Sequence, residues 1–473
     1  MNLNLPRILG LGARAIKIPC DCNATIAALR TVAAMTFITI SITGHADCTK
    51  LPAPVADRIG RVVLALDHVP NKTVLAGKYD IIWADYFYKP GWAKLPGTYS
   101  IKYMTVDRDP NPNARVPNPA ADGYTKSRDL RWYHRNHPNW VVYKCPDLPE
   151  PKLCERPAMD SGPNNPAYQC FFPNSVDYMP LDITNPSVRE FLFDANLGGE
   201  PYLPPFKGYI AHTAKPVSYP SILSSGFYDA VGVDNLANLN SFGECGIYEG
   251  GKFVRRYSGG ASDSSFLRAR IAWINWLGKH VRAAGLCLAG NDYFTTRYAA
   301  EFLEIASTLD IVVDEHGFTR DSGPLEVGAA WLTRVATLRK LTKSGKPLID
   351  IEYVSPTTTE PKTRENLLWA LANYLLVKAD RTYLALSSPK EGPDPAKSYP
   401  ELFIETGAPT EEMQTNGTLY WRHFQKALAV VNPSPKADNL GLGQQTWHGL
   451  YGDTFSGSVL VGSATALVLI TGK

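Results

Sequence analysis

Two stretches of the chain end an apolar run in acid. "YDAVGVDNLANLN" at Tyr228–Asn240 delivers Asp234, and "LDIVVDEHGF" at Leu309–Phe318 delivers Asp314 and Glu315. Each run has the composition of a buried strand. A carboxylate at the C-terminal tip of such a strand is how a (β/α)8 barrel furnishes its active-site rim. Two carboxylates across one mouth are the minimum for hydrolysing a glycosidic bond. One protonates the leaving oxygen, and the other acts as nucleophile or as base toward water. Asp234 is the leading candidate, because it ends its strand and is followed by Asn235, whose amide is placed to orient it. An Asp at a strand end is also a common cap for the next helix. Glu315 is the second catalytic candidate. Glu352, near the end of "PLIDIEY", is the third and is assigned to substrate binding. Asp85, in "YDIIWADY", and Asp107, ending "YMTVD", sit at further strand tips and suit sugar hydroxyls better than chemistry.

Other chemistries lack their signatures. His134 and His137 in "WYHRNHPNW" are three apart, but no cysteine or carboxylate motif accompanies them, so no metal is expected. His316 directly follows Glu315, where it could tune that acid's pKa or contact substrate, but the leading reading is an exposed loop histidine. The sequence has no G-x-S-x-G elbow, P-loop, H-E-x-x-H or G-x-G-x-x-G pattern. No cofactor is expected.

The elements that must position these acids alternate from about Val62 to Ser388. Strand-like segments are Tyr79–Tyr86, Tyr99–Asp107, Trp140–Lys144, Tyr228–Asp234, Leu286–Asn291, Asp310–Glu315, Pro347–Tyr353 and Arg381–Ser388. Amphipathic helices are expected at Ser265–Ala284, with Asp263 or Ser264 as cap and Gly285 as stop, and at Thr296–Ser307, Leu325–Ser344 and Arg364–Ala379. Alternating strands and helices make parallel βα units, and eight of them favour a closed barrel over an open sheet.

The pleat sets which side chains face inward. Val231 and Val233, Leu286 and Leu288, and Leu384 and Leu386 read as facing the outer helices. That leaves Asp234, Asn291 and Ser387 inside. By the same reasoning Ile349, Ile351 and Tyr353 face out, and Asp350 and Glu352 face in. The alternation does not decide between Asp314 and Glu315.

The segment Asp107–Phe227, rich in Pro, Asn and Tyr, reads as long loops around a cleft. A Pro-rich passage, Pro389–Pro409, reads as a linker. Beyond it the helical period disappears, and alternation with turns predicts a small all-β domain. The expected division is residues 1–46 as an N-terminal signal or extension, 58–390 as the barrel and 400–473 as the β-domain.

Bulk composition agrees. Of 473 residues, 44% are hydrophobic, enough for a large core, and the formal charge of +3 does not suit a nucleic-acid partner. Arg30 precedes the uncharged stretch Thr31–Gly44, and "ITGHA" precedes Asp47, the parts of an export signal. The stretch is too short for a stable membrane span. A secreted or periplasmic protein is expected. Six cysteines follow the signal, an even set that permits disulfides, although Cys287 in its strand-like run reads as a buried free thiol.

With these residues in hand the chain resembles a family of hypothetical glycoside-hydrolase barrels related to the endo-α-1,4-polygalactosaminidases. "YDAVGVDN" is similar to that family's fourth-strand pattern, "LCLAGNDYF" to its next strand and "LDIVVDEHGF" to its strand ending in Glu. "HPNWVVYKCP", "LDITNPSVREF" and "YWRHFQKALAVVNP" resemble further family segments, so the likeness runs from about Tyr79 to the end. It implies a catalytic Asp at Asp234, a catalytic Glu at Glu315 and a substrate-contacting Asn at Asn291. Ala230 stands where the family usually has Gly, and the insertions around Cys145–Cys170 and Asn240–Ser262 depart from it, which leaves the substrate open.

Three functions fit this pattern. The leading one is a glycoside hydrolase acting on a poly- or oligosaccharide by a two-carboxylate mechanism, retaining in its stereochemistry. A non-catalytic carbohydrate-binding barrel and a polysaccharide lyase using the same cleft are the alternatives.

Overall fold

The computed structural model describes residues 48–472, apart from 49, 65–71, 84–93, 108–114, 119–122, 128–132, 134–135, 146–179, 198–221, 242, 293, 320–324, 357–360 and 389–393. Eight parallel strands close into a barrel in chain order. They are β1 (Gly60–Leu64), β2 (Ile81–Trp83), β3 (Tyr99–Thr105), β4 (Ala230–Asp234), β5 (Cys287–Asn291), β6 (Ile311–Glu315), β7 (Leu348–Tyr353) and β8 (Thr382–Ser387). Helices follow several of them: α1 (Pro186–Leu197) between β3 and β4, then α2 (Ser264–Ala283), α3 (Ala299–Thr308), α4 (Gly328–Lys343) and α5 (Pro361–Val377). This is the expected (β/α)8 architecture.

Two of the strand assignments change. Gly60–Leu64, β1, which the sequence reading did not name, is a barrel strand, and Trp140–Lys144, which it counted among the eight, is not. Its Tyr143–Lys144 pairs antiparallel with Glu244–Glu249, which in turn pairs with Lys252–Arg255. A disulfide between Cys145 and Cys245 fastens that side sheet. Alternation alone cannot distinguish a barrel strand from a strand in an insertion.

Side chains separate into two layers, as the pleat requires. The interior holds Val62, Leu64, Ile81, Trp83, Ile101, Ala230, Ala289, Ile311, Val313, Ile349, Ile351 and Ala385. The shell under the helices holds Val63, Val231, Val233, Leu288, Val312, Leu348, Leu384 and Leu386 with Trp273, Trp331 and Trp369. The reading of β4, β5 and β8 therefore stands, and that of β7 is reversed: Ile349, Ile351 and Tyr353 point in, Asp350 and Glu352 out. Gly232 is needed where it stands, because a Cβ there would come within 2.6 Å of the Trp83 ring. That ring lies against the inner face of β4, two residues before Asp234.

Acids also recur just before β2, β4 and β6, and these serve the fold. Asp80 accepts the Arg61 N–H and pairs with Arg58; Asp229 accepts the Ser100 N–H and pairs with Lys94; Asp310 accepts the Leu288 N–H and pairs with Arg282. Each fixes a strand end at the bottom of the barrel, opposite the C-terminal mouth. Cys287, expected as a free thiol, is bonded to Cys48. That bond ties the N-terminal segment to the lower barrel interior, where Val55 is buried.

α2 begins as its sequence predicts, with the Asp263 carboxylate accepting the N–H groups of Ser265 and Phe266. Beyond β8, short helical turns at Pro395–Ser398 and Pro400–Phe403 occupy the expected linker and dock on the barrel, the Tyr399 hydroxyl donating to Val354 O at 2.7 Å. The chain then forms a six-stranded antiparallel sheet from β9 (Gln414–Thr415), β10 (Tyr420–His423), β11 (Ala427–Asn432), β12 (Asp438–Gly449), β13 (Thr454–Val461) and β14 (Thr465–Ile470). This is the expected C-terminal all-β domain. β11 and β14 pack on α5. Arg422 reaches across to donate to Lys378 O at 2.6 Å, a cation placed where the last carbonyls of α5 lack partners.

Candidate active site

β4, β5 and β6 are neighbours in the barrel, and each ends in an inward polar residue: Asp234, Asn291 and Glu315. The register settles which acid of β6 enters the barrel. Val313, facing in, pairs with Ile349, and Asp314 pairs with Asp350 on the helix side. Glu315 therefore shares the inner face.

Asn291 joins the two carboxylates. Its Nδ2 donates to Asp234 Oδ1 at 2.8 Å and also to Glu315 Oε2. Two oxygens bonded to one donor nitrogen lie within roughly 6 Å of each other. Asp234 Oδ2 accepts from the Tyr103 hydroxyl at 2.8 Å and from Asn235 Nδ2 at 2.6 Å. Three donors thus converge on one carboxylate, the surroundings suited to a charged group. Glu315 Oε1 accepts from the Tyr353 hydroxyl at 2.5 Å. Burial pushes the Glu315 pKa up and the negative Asp234 adds to it, against the pull of Tyr353 and Asn291. Asp234 accepts from three donors, and Glu315 is driven toward its protonated form.

The chain bends sharply after each acid. Asn235 and His316 both adopt left-handed backbone, with φ of 56° and 69°. Asn tolerates this region well. For His316 it costs about 1–3 kcal/mol, which the surrounding fold must sustain. Both residues line a cavity of about 180 Å³ with Asn291, Glu315, Ala237, Asn238, Leu239 and Ser241. That volume is below the roughly 300–1,000 Å³ of a drug-sized pocket and is on the scale of one small subsite. No residue of the C-terminal domain lines it.

The other sequence candidates lie elsewhere. Asp107 is 4% exposed and is held by Arg270 of α2, which also reaches Glu244 at 3.5 Å. It cross-links the barrel wall to α2 and does not reach the cavity. Glu352 is 0% exposed on the helix side of β7, the consequence of the reversed pleat. Asp85 and His134 fall outside the described residues. His137 stacks on Trp140 with ring centroids 3.8 Å apart, a packing role.

Tyr103 and Tyr353 were missed. Tyr103 shares the parity of Ile101 and Thr105 on β3, and Tyr353 that of Ile349 and Ile351 on β7. The available signal was a tyrosine at a strand's C-terminal end, in step with the apolar interior.

Arg334, on α4, explains how acids come to lie outside the barrel. It donates to Glu326 at 2.5 Å, to Asp314 at 2.6 Å and to Phe294 O at 2.9 Å while only 2% exposed. Burial still pushes Asp314 up to about 6 in spite of that partner. Among the described residues no group of three or more His, Cys, Asp or Glu side chains is arranged to hold a metal ion.

No protein-family model matches the chain, and no curated protein matches it. Among solved structures, similar folds include an α-amylase from Malbranchea cinnamomea, at 11% identity and TM-score 0.36 over 79% of this chain and 74% of that one. A family GH13_31 enzyme aligns at 11% identity and TM-score 0.42 over 80% of this chain and 83% of that one. A GH27 β-L-arabinopyranosidase variant from Geobacillus stearothermophilus, in complex with arabinose, aligns at 10% identity and TM-score 0.36 over 91% and 99%. Superpositions this loose carry no assignment of activity, and the chemistry of this barrel rests on its own side chains.

Proposed function

We propose that the protein is an exported glycoside hydrolase that cleaves a poly- or oligosaccharide with retention of configuration, Asp234 acting as nucleophile and Glu315 as general acid and base. The observation that carries this reading is the Asn291 amide shared between the two carboxylates. Two oxygens on one donor nitrogen lie within roughly 6 Å, which supports the ~5–5.5 Å separation of a double displacement over the ~6.5–9.5 Å that leaves room for an inverting water. Asp234 attacks the anomeric carbon while Glu315 gives its proton to the departing glycosidic oxygen. Glu315, now ionised, takes a proton from water, which displaces the sugar from Asp234. The upward pKa of Glu315 in the free enzyme supports the first role.

Two disulfides, Cys48–Cys287 and Cys145–Cys245, support export, since such bonds persist in oxidising compartments. No helix among the described residues is long and apolar enough to cross a membrane. The resemblance to the polygalactosaminidase-related barrels makes α-1,4-linked galactosamine polymers the first substrates to try.

The test is to incubate the purified protein with a panel of polysaccharides, following reducing ends and the absorbance of unsaturated products. New reducing ends without unsaturation are expected. Unsaturated products would establish a lyase, and binding without any cleavage a carbohydrate-binding barrel.

A further inference from the structure

Sequence reasoning places Glu352 in the cleft, whereas the structure buries it behind β7 and gives it other partners. Its Oε1 accepts the Phe318 N–H at 2.7 Å. Its Oε2 accepts the Thr319 N–H at 2.9 Å and is also bonded by the Thr319 hydroxyl. All three donors belong to the stretch that leaves β6 directly after Glu315. Between Glu315 and those donors the chain turns through His316, at φ 69°, and Gly317, at φ 26°. A Cβ on Gly317 would lie 2.7 Å from Asp350 Oδ1 and closer still to Glu352 Oε1. The loop is therefore drawn flat onto the carboxyl groups, and only glycine fits at the contact.

The charged groups around this clamp come from each element packed on it. Asp350 lies on β7, Asp314 on β6 and His316 on the loop itself. Arg334 comes from α4, where Asp314 and Glu326 already engage it. Asp350 is 0% exposed, and neither of its oxygens has a hydrogen-bond partner. Burial first, and then the neighbouring Glu352 and Asp314, hold its pKa well above the usual carboxylate range. Burial also pushes Glu352 up, to about 7, against its donors from Thr319 and Phe318. Of the two acids, Glu352 has the donors that an anion needs, and Asp350 has none.

We propose that Glu352 is a positioning residue for Glu315, clamping from the sealed side of β7 the loop that leaves β6 and so fixing the carboxylate against Asn291 and Tyr353. The proposal rests on the assignment of Glu315 to the chemistry. The side chain never touches the cavity. It acts through the backbone of the residues that follow Glu315, and Asp350 keeps the clamp intact by staying neutral beside it.

The test is Glu352→Gln, which keeps the shape and replaces one acceptor oxygen by an NH2 group. The expected result is a kcat lower by about 10–100-fold, the weight of one or two hydrogen bonds to a charged group. KM should stay within about threefold, since an interaction absent from ground-state binding leaves KM alone. The alkaline limb of the pH–rate profile, which reports Glu315, should move. Asp350→Asn, a neutral isostere, should keep kcat within about threefold on the same scale.

A crystal structure of E352Q reads the geometry whether or not turnover occurs. The 316–319 loop should lift, and Glu315 should lose its bond to Tyr353 or Asn291. An unchanged kcat with an unmoved loop overturns the proposal, even if the variant melts earlier. A loss confined to KM also overturns it, since that would mark a substrate contact. If E352Q does not fold, Thr319→Val removes one donor to the same carboxylate: a lower kcat at constant KM is expected, and an unchanged kcat overturns the proposal. If the wild-type protein cleaves no glycoside, the functional reading fails on its own, and an unmoved Glu315 in the variant structure would still refute the clamp.

Discussion

Replacing Asn291 by Ala removes the amide that both carboxylates share. In the intact site this amide donates to Asp234 Oδ1 at 2.8 Å and to Glu315 Oε2, and it is only 4% exposed, so water is poorly placed to substitute. A hydrogen bond to a charged group is worth about 1.5–3 kcal/mol. At Glu315 the bond pulls the pKa down, against burial and the Asp234 charge. Its loss should raise that pKa further. A general acid works protonated, so activity is lost as pH rises through its pKa. The alkaline limb of kcat/KM should therefore move to higher pH. The maximal rate should fall by about 10–100-fold, because neither carboxylate is held to the other. The assay is the pH dependence of kcat/KM on the substrate that the polysaccharide panel identifies. Asn291→Asp, which adds a third carboxylate at the same place, should move the limb in the same direction. A limb that stays in place or moves down in both variants would refute the shared-amide account.

Other outcomes follow from the buried acids and the disulfides. Burial pushes the carboxyl groups of Glu352 and Asp314, both fully buried, up to about 7 and about 6, above the ordinary carboxylate range. The stability each contributes is complete below its unfolded pKa and is lost as pH rises through the folded one, about 3 kcal/mol per group as an order of magnitude. Asp350 and Asp292, also raised by burial, act in the same direction. Thermal unfolding should thus occur several degrees higher at pH 5 than at pH 8, and a Tm that rises from pH 5 to pH 8 would contradict these assignments. Cys145 and Cys245 close a separation of 100 residues, so replacing both by Ser should lower unfolding stability by about 2–5 kcal/mol in denaturant titration. Equal midpoints for the variant and the wild type would show that the bond restrains little.

What the sequence made legible, it made legible by parity. Toward the ends of β4, β5 and β8 aliphatic residues (Val231, Val233, Leu288, Leu384, Leu386) alternate with small or polar ones, so inward and outward sides separate without a structure. In β7 the alternation of Ile with acid is equally clear, but its sense depends on a partner elsewhere in the chain. Arg334 on α4 makes the helix side hospitable to Asp314, and the loop after β6 supplies donors to Glu352. Neither can be seen within the six residues of the strand. The choice between Asp314 and Glu315 was undecided for the same reason and was fixed by register with β7. Cys287 was misread because its partner, Cys48, lies 239 residues away and meets it only when the N-terminal segment closes the barrel bottom. β1 went unassigned although it is as long as β4 or β5, because its contiguous Val62-Val63-Leu64 run shows no alternation.

The claim that Asp234 and Glu315 carry out glycosidic cleavage is tested most directly by side-by-side kinetics of Asp234→Asn and Glu315→Gln, with substrate affinity measured by titration. Both variants keep the shape of the site while removing a nucleophile and a titrating acid. The account predicts that each loses at least about 10²–10⁴-fold in kcat, the usual weight of a positioned acid or base, with affinity retained. Turnover within about tenfold of wild type in either variant would contradict it and would move the chemistry to another pair of residues.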